Sequence, residues 1–167
     1  MRSLIRSLLL AAIPGVAGSL SYYSPADGGG WPVVLSSIGL VKGTEANADV
    51  IVTPSRLREG AIVILEGESA LAASLGFRAD AQRVTVRSVE DVHAPKLQVV
   101  WEKALDVAVF EVPKEARVFT KERWQGAPLV AGMRRGAGAV LRVATSPGSK
   151  GYDRFPYIAQ ALAESSI

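Results

Sequence analysis

The sequence contains no cysteine, a single histidine and no strong excess of either charge. Lack of cysteine rules out disulfides, thiolate metal sites and a cysteine nucleophile together. One histidine with scattered carboxylates is a poor metal-ligand set. Glu66, Glu68, Glu90 and Asp91 do not have the spacing of a cation-binding loop. Neither a metal nor a cofactor is expected. The formal net charge is only +3, and two of the basic residues, Arg2 and Arg6, belong to the N-terminal lead. No run of Lys/Arg is interleaved with aromatics, so nucleic acid is not an expected partner. There is no apolar run of bilayer-spanning length, no internal repeat and no low-complexity tract.

What is present describes a globular chain. It has 167 residues, 49% apolar and 21% charged, enough for one domain with a real core. Met1-Arg2-Ser3-Leu4-Ile5-Arg6 is a short basic lead. An apolar stretch from Leu8 to Ile13 follows, broken by Pro14-Gly15, and then the small residues Val16-Ala17-Gly18. This is the order of a secretory signal peptide over residues 1–18, so an exported (periplasmic or extracellular) protein is expected, touching membrane only through that segment. The competing reading is a buried or membrane-lying N-terminal helix. Residues 19–30 read as a linker ending in Gly28-Gly29-Gly30, and residues 31–167 as a single α/β domain.

Within that domain, Trp31-Pro32-Val33-Val34-Leu35 reads as a first strand and Ala48-Asp49-Val50-Ile51-Val52 as the next. The most informative stretch is residues 60–78. Ala61-Ile62-Val63-Ile64-Leu65 is a continuous apolar, β-rich run, as expected of a strand covered on both faces. Gly67 permits a sharp turn. Ser69-Ala70-Leu71-Ala72-Ala73-Ser74-Leu75 favours helix, with Gly76 as its stop. From about residue 83 to 120 the pattern changes to short strands, 83–87, 97–101, 107–112 and 116–120. Their short connections suit antiparallel pairing. Residues 128–133 read as a strand or a bend. Ala139-Val140-Leu141-Arg142-Val143-Ala144 is a buried strand, and residues 155–163 read as a terminal helix with one apolar face.

Four pieces carry a family resemblance: Ala48-Asp49-Val50-Ile51-Val52, the run from Glu59 through Gly67, the run from Gly136 through Ala144, and Arg154-Phe155-Pro156-Tyr157-Ile158. Together they resemble the class I glutamine amidotransferase-like superfamily. Within it they look like the non-catalytic ThuA-like and β-galactosidase trimerisation-type domains. The resemblance implies a trimmed flavodoxin-like parallel sheet with an inserted antiparallel β region. It also implies a non-catalytic accessory or interaction role in a carbohydrate-active or cell-envelope setting. The catalytic members carry a cysteine at the turn before the helix, followed later by a histidine and a glutamate. Here that turn is Gly67-Glu68-Ser69-Ala70-Leu71, so amidotransferase chemistry is not implied.

Two other classes of function stay open on the residues. Gly67-Glu68-Ser69 is part of a nucleophile elbow, although Leu71 replaces the final glycine of G-x-S-x-G. With His93 as base and Asp91 as orienter, Ser69 would make a small serine hydrolase. Against this, a serine at a helix start ordinarily serves as an N-cap, and His93 suits a strand end or surface turn. The chain also reads as an N-terminal fragment of a larger enzyme. Gly136-Ala137-Gly138 lacks the Lys-Ser/Thr of a phosphate loop and reads as a turn. For a protein partner, a neighbouring domain or a carbohydrate, Trp124, Tyr152 and Tyr157 are the candidate contact residues. Trp124, in Trp124-Gln125-Gly126, has the strongest loop character.

Overall fold

The protein is described by a computed structural model covering residues 19–92, 94–96, 98–148 and 162. It is a mixed α/β fold built on one nine-stranded sheet, with little helix among the described residues. The strands are β1 (Ser21–Tyr23), β2 (Val41–Lys42), β3 (Val50–Val52), β4 (Ile62–Glu66), β5 (Ala79–Asp91), β6 (Val99–Phe110), β7 (Arg117–Glu122), β8 (Pro128–Arg135) and β9 (Gly138–Val143). The helices are α1 (Trp31–Ser37) and α2 (Ala70–Ser74). Spatial order is β2-β1-β3-β4-β9-β8-β7-β5-β6. The first five strands pair in parallel. From β9 outward every pairing is antiparallel.

The parallel centre follows from composition. Every residue of β3 is buried, as are Ile62, Val63, Ile64 and Leu65 of β4 and all of β9. Period-two alternation sends these side chains into two cores. On one face Val50, Val52, Ile62, Ile64, Leu141 and Val143 pack with Trp31 and Leu35 of α1 and with the helical Leu162. On the other, Val63, Leu65 and Val140 pack with Leu75, Phe77 and Phe110. The antiparallel end has its own cluster around Val84, Val86, Trp101, Val107 and Leu129.

Several expectations are corrected. Trp31-Pro32-Val33-Val34-Leu35 is helix α1, not a strand. Pro32 lies in the first turn, where its missing N–H costs nothing. Trp31, Val34 and Leu35 face the core at helical spacing while Val33 is exposed. The helix ends with Leu40 N–H donating to Leu35 C=O at 3.1 Å, the six-to-one bond of a Schellman-type stop. Residues 19–30 are not a featureless linker. They contain β1, inserted between β2 and β3, and a folded loop. In that loop Gly28 N–H donates to Pro25 C=O at 2.9 Å and Gly30 N–H to Pro147 C=O at 3.0 Å.

The antiparallel region extends further than the sequence pattern suggests, from β5 through β9. The strands expected at 97–101 and 107–112 overlap a single long strand, β6, which runs from Val99 to Phe110. A bulge separates them, with residues 101 to 104 opposite Arg87 alone, and bulges of this kind bend a strand and break its alternation. Residues 128–133 are strand β8. The expected terminal helix falls outside the described residues apart from Leu162, which is helical and buried.

Candidate functional site

The carboxyl ends of β1, β3, β4 and β9 converge on a shallow cleft of about 470 Å3. Open α/β sheets place ligands outside the carboxyl ends of their parallel strands. Pro25, Asp27 and Gly28 from the loop after β1, Thr53 after β3, Glu66 and Gly67 at the end of β4, and Ser146 after β9 line it. The sequence singled out Gly67 for the elbow turn, Glu66 as a carboxylate and Gly28 in a glycine run, but did not group them, because the lining comes from four separate segments. The local signals were Asp27 just after a short strand and Thr53-Pro54 closing a buried one.

Thr53 has φ +47°, the one positive φ among the described non-glycine residues. A β-branched residue is an outlier there, and a following proline adds restriction. Its backbone is held by N–H donation to Ile64 C=O at 2.8 Å. Glu66 is fixed from below: Trp31 Nε1 donates to its Oε2 at 2.5 Å. The cleft therefore presents two carboxylates, Asp27 and Glu66, with the hydroxyls of Thr53 and Ser146. No metal-ligating group of three or more residues occurs among the described residues.

The elbow stands beside this cleft. Gly67 takes φ +63°, so the sharp turn expected from the sequence is present. Ser69 is extended (φ −149°, ψ 151°), and its Oγ accepts a hydrogen bond from Ala72 N–H at 3.0 Å. It is the N-cap of α2, a role in which serine ordinarily contributes about 1 kcal/mol.

Asp91 is buried near the far end of the sheet. The residue row Glu66, Val143, Val130, Thr120, Asp91 crosses from β4 to β5. Four strand spacings are roughly 19 Å, so the sheet does not bring Asp91 beside the elbow. His93 lies outside the described residues, as do Tyr152 and Tyr157.

Arg142 is buried in the second core, with its guanidinium 4.9 Å from the Phe110 ring centroid. It donates to Val143 C=O, and its Nε has no partner. Burial lowers its pKa from the ordinary arginine value, while the charges of Glu66 and Glu68 act in the opposite direction.

Trp124 is at the tip of the β7–β8 hairpin with 69% of its surface exposed. The tip is held firmly. Buried Glu122 accepts the Trp124 N–H at 2.9 Å and the Gln125 N–H at 2.5 Å through Oε2. Arg123 donates through Nε to Ser88 Oγ at 3.1 Å and pairs with Glu90 at 3.8 Å. Ser88 pairs across the ladder with Val100, itself 63% exposed.

No family model and no curated protein matches the sequence. The solved structures similar in part include three proteins. A cytoplasmic protein of Salmonella typhimurium LT2 gives a TM-score of 0.48 at 13% identity, over 71% of this chain and 72% of that one. A second Salmonella typhimurium cytoplasmic protein gives 0.46 at 13% identity, over 71% and 70%. An exo-β-1,4-mannosidase from Opitutaceae bacterium strain TAV5 gives 0.40 at 15% identity, over 77% of this chain and 27% of that one. The amidotransferase-like resemblance finds no support among them. The Salmonella proteins' cytoplasmic description stands against the expectation of export, which is withdrawn. The basic-then-apolar order behind it also suits a buried helix, and residues 1–18 lie outside the described ones. No described helix is long and apolar enough to cross a membrane.

Proposed function

We propose that this chain is a non-catalytic interaction domain, a trimmed amidotransferase-like sheet that contacts its target through the Trp124 hairpin. One observation carries this reading: a large aromatic is presented to solvent on a tip whose backbone is already fixed by Glu122 and Arg123. Binding hot spots are enriched in tryptophan, and a pre-ordered contact avoids part of the entropic cost of association. Two features support the rest. The strand order β2-β1-β3-β4-β9 follows the doubly wound order 2-1-3-4-5, although among the described residues the helices that usually cover such a sheet are few and short. The serine at the elbow is engaged as a helix cap, which supports a fold kept without its chemistry. The partner is a protein surface or neighbouring domain, and a carbohydrate ring stacking on the indole is the second reading.

Trp124→Ala tests this. The side chain is exposed, so its unfolding free energy is expected to stay within about 0.5 kcal/mol of the parent. The variant should also lose most of the proteins retained by the immobilised parent domain, or the tryptophan fluorescence change produced by neutral oligosaccharides. An unchanged set of retained proteins together with an unchanged oligosaccharide response would contradict the proposal.

A further inference from the structure

The β3–β4 link, residues 53–61, contains no helix, whereas parallel neighbours are usually joined by a dozen or more residues that pack on the sheet. The missing cover leaves a groove of about 240 Å3 at the amino ends of β4 and β9, at the other end of these strands from the cleft at Glu66. Its floor is apolar: Leu57, Val63 and Val140. Arg58 and Arg135 flank it, and Glu59 is the one carboxylate in the lining. Arg58 Nε is buried and has no hydrogen-bond partner. A buried N–H of a charged group without a partner is costly, and an acceptor brought by a ligand removes that cost.

We propose that this groove binds a small amphipathic carboxylate. Its planar anion sits on the Arg58 guanidinium, the geometry in which arginine pairs bidentately with carboxylates, and its apolar body packs against the half-buried Leu57, above a floor closed by the buried Val63 and Val140. The two guanidinium groups and Glu59 leave a net charge of one, which suits a monoanion better than a dianion. The volume holds roughly eight waters, which fits a ligand with a single ring or a short alkyl chain.

The test is a titration of the full-length protein with benzoate, benzamide and phenyl phosphate, followed by amide and arginine Nε–H NMR shifts. Benzoate is expected to move Ala61, Val63, Val140 and the Arg58 Nε–H with a Kd on the order of a millimolar, the range open to so small a ligand. Benzamide, the neutral isostere, should bind at least roughly tenfold more weakly, since it lacks the charge-assisted pair. Arg58→Gln should weaken benzoate by a similar factor without lowering the unfolding midpoint, since it removes the unpartnered Nε–H. Equal binding of benzamide, or full benzoate affinity in Arg58→Gln, would overturn the site. Shifts confined to other parts of the sheet would do the same, and tighter binding of phenyl phosphate than of benzoate would overturn the monoanion assignment.

Discussion

Gly138→Ala is expected to destabilise the protein by about 3 kcal/mol, at the upper end of what an added methyl costs in a packed interior. A Cβ at position 138 would run into the backbone oxygen of Ala61, with Ala61 C and N each 3.0 Å away. Neither side can yield easily. Gly138 opens β9 and Ala61 leads into β4, neighbouring parallel strands in the middle of the nine-stranded sheet. Ala139 N–H also donates to Ala61 C=O at 3.2 Å, so pushing the backbones apart weakens the ladder where it begins. For a chain of this size the loss corresponds to a fall of roughly 10 °C in Tm. Thermal unfolding followed by circular dichroism measures it. A change under about 2 °C, well below that figure, would mean the strands approach less closely than described.

The second large effect is expected at Trp31. The residue is fully buried, packs in the main core, and donates Nε1–H to Glu66 at 2.5 Å. Trp31→Ala should cost about 3–5 kcal/mol, the usual range for removing a buried aromatic. Trp31→Phe should cost less, because much of the packing remains, but it leaves Glu66 without its buried donor. The pair separates packing from the hydrogen bond. Denaturant unfolding of both variants reads the difference, and a loss below about 1 kcal/mol for the alanine variant, well under the buried-aromatic range, would remove Trp31 from its place under the cleft.

These two residues also show what the sequence revealed. The continuous apolar runs of β3, β4 and β9 were legible because a strand covered on both faces contains little else. Trp31 was legible as the start of an ordered apolar element but was read as strand and not as helix. A five-residue apolar run fits either period, and Pro32 in the first turn was the deciding signal. β6 was read as two strands because its bulge interrupts the alternation at residues 101–104. The cleft was hidden for a different reason: its lining comes from chain segments brought together only by strand order. Ser69 was legible both as a cap and as an elbow serine, and the hydrogen bond from Ala72 is the geometry of the cap.

Whether the elbow is chemically silent is tested most directly by incubating the protein with a fluorophosphonate and measuring its intact mass. A serine activated by a base displaces fluoride and keeps the phosphonyl group, whereas one engaged as a helix cap without a base does not. The account predicts an unchanged mass. An adduct mapped to Ser69 and absent from Ser69→Ala would contradict it and make the protein a serine hydrolase.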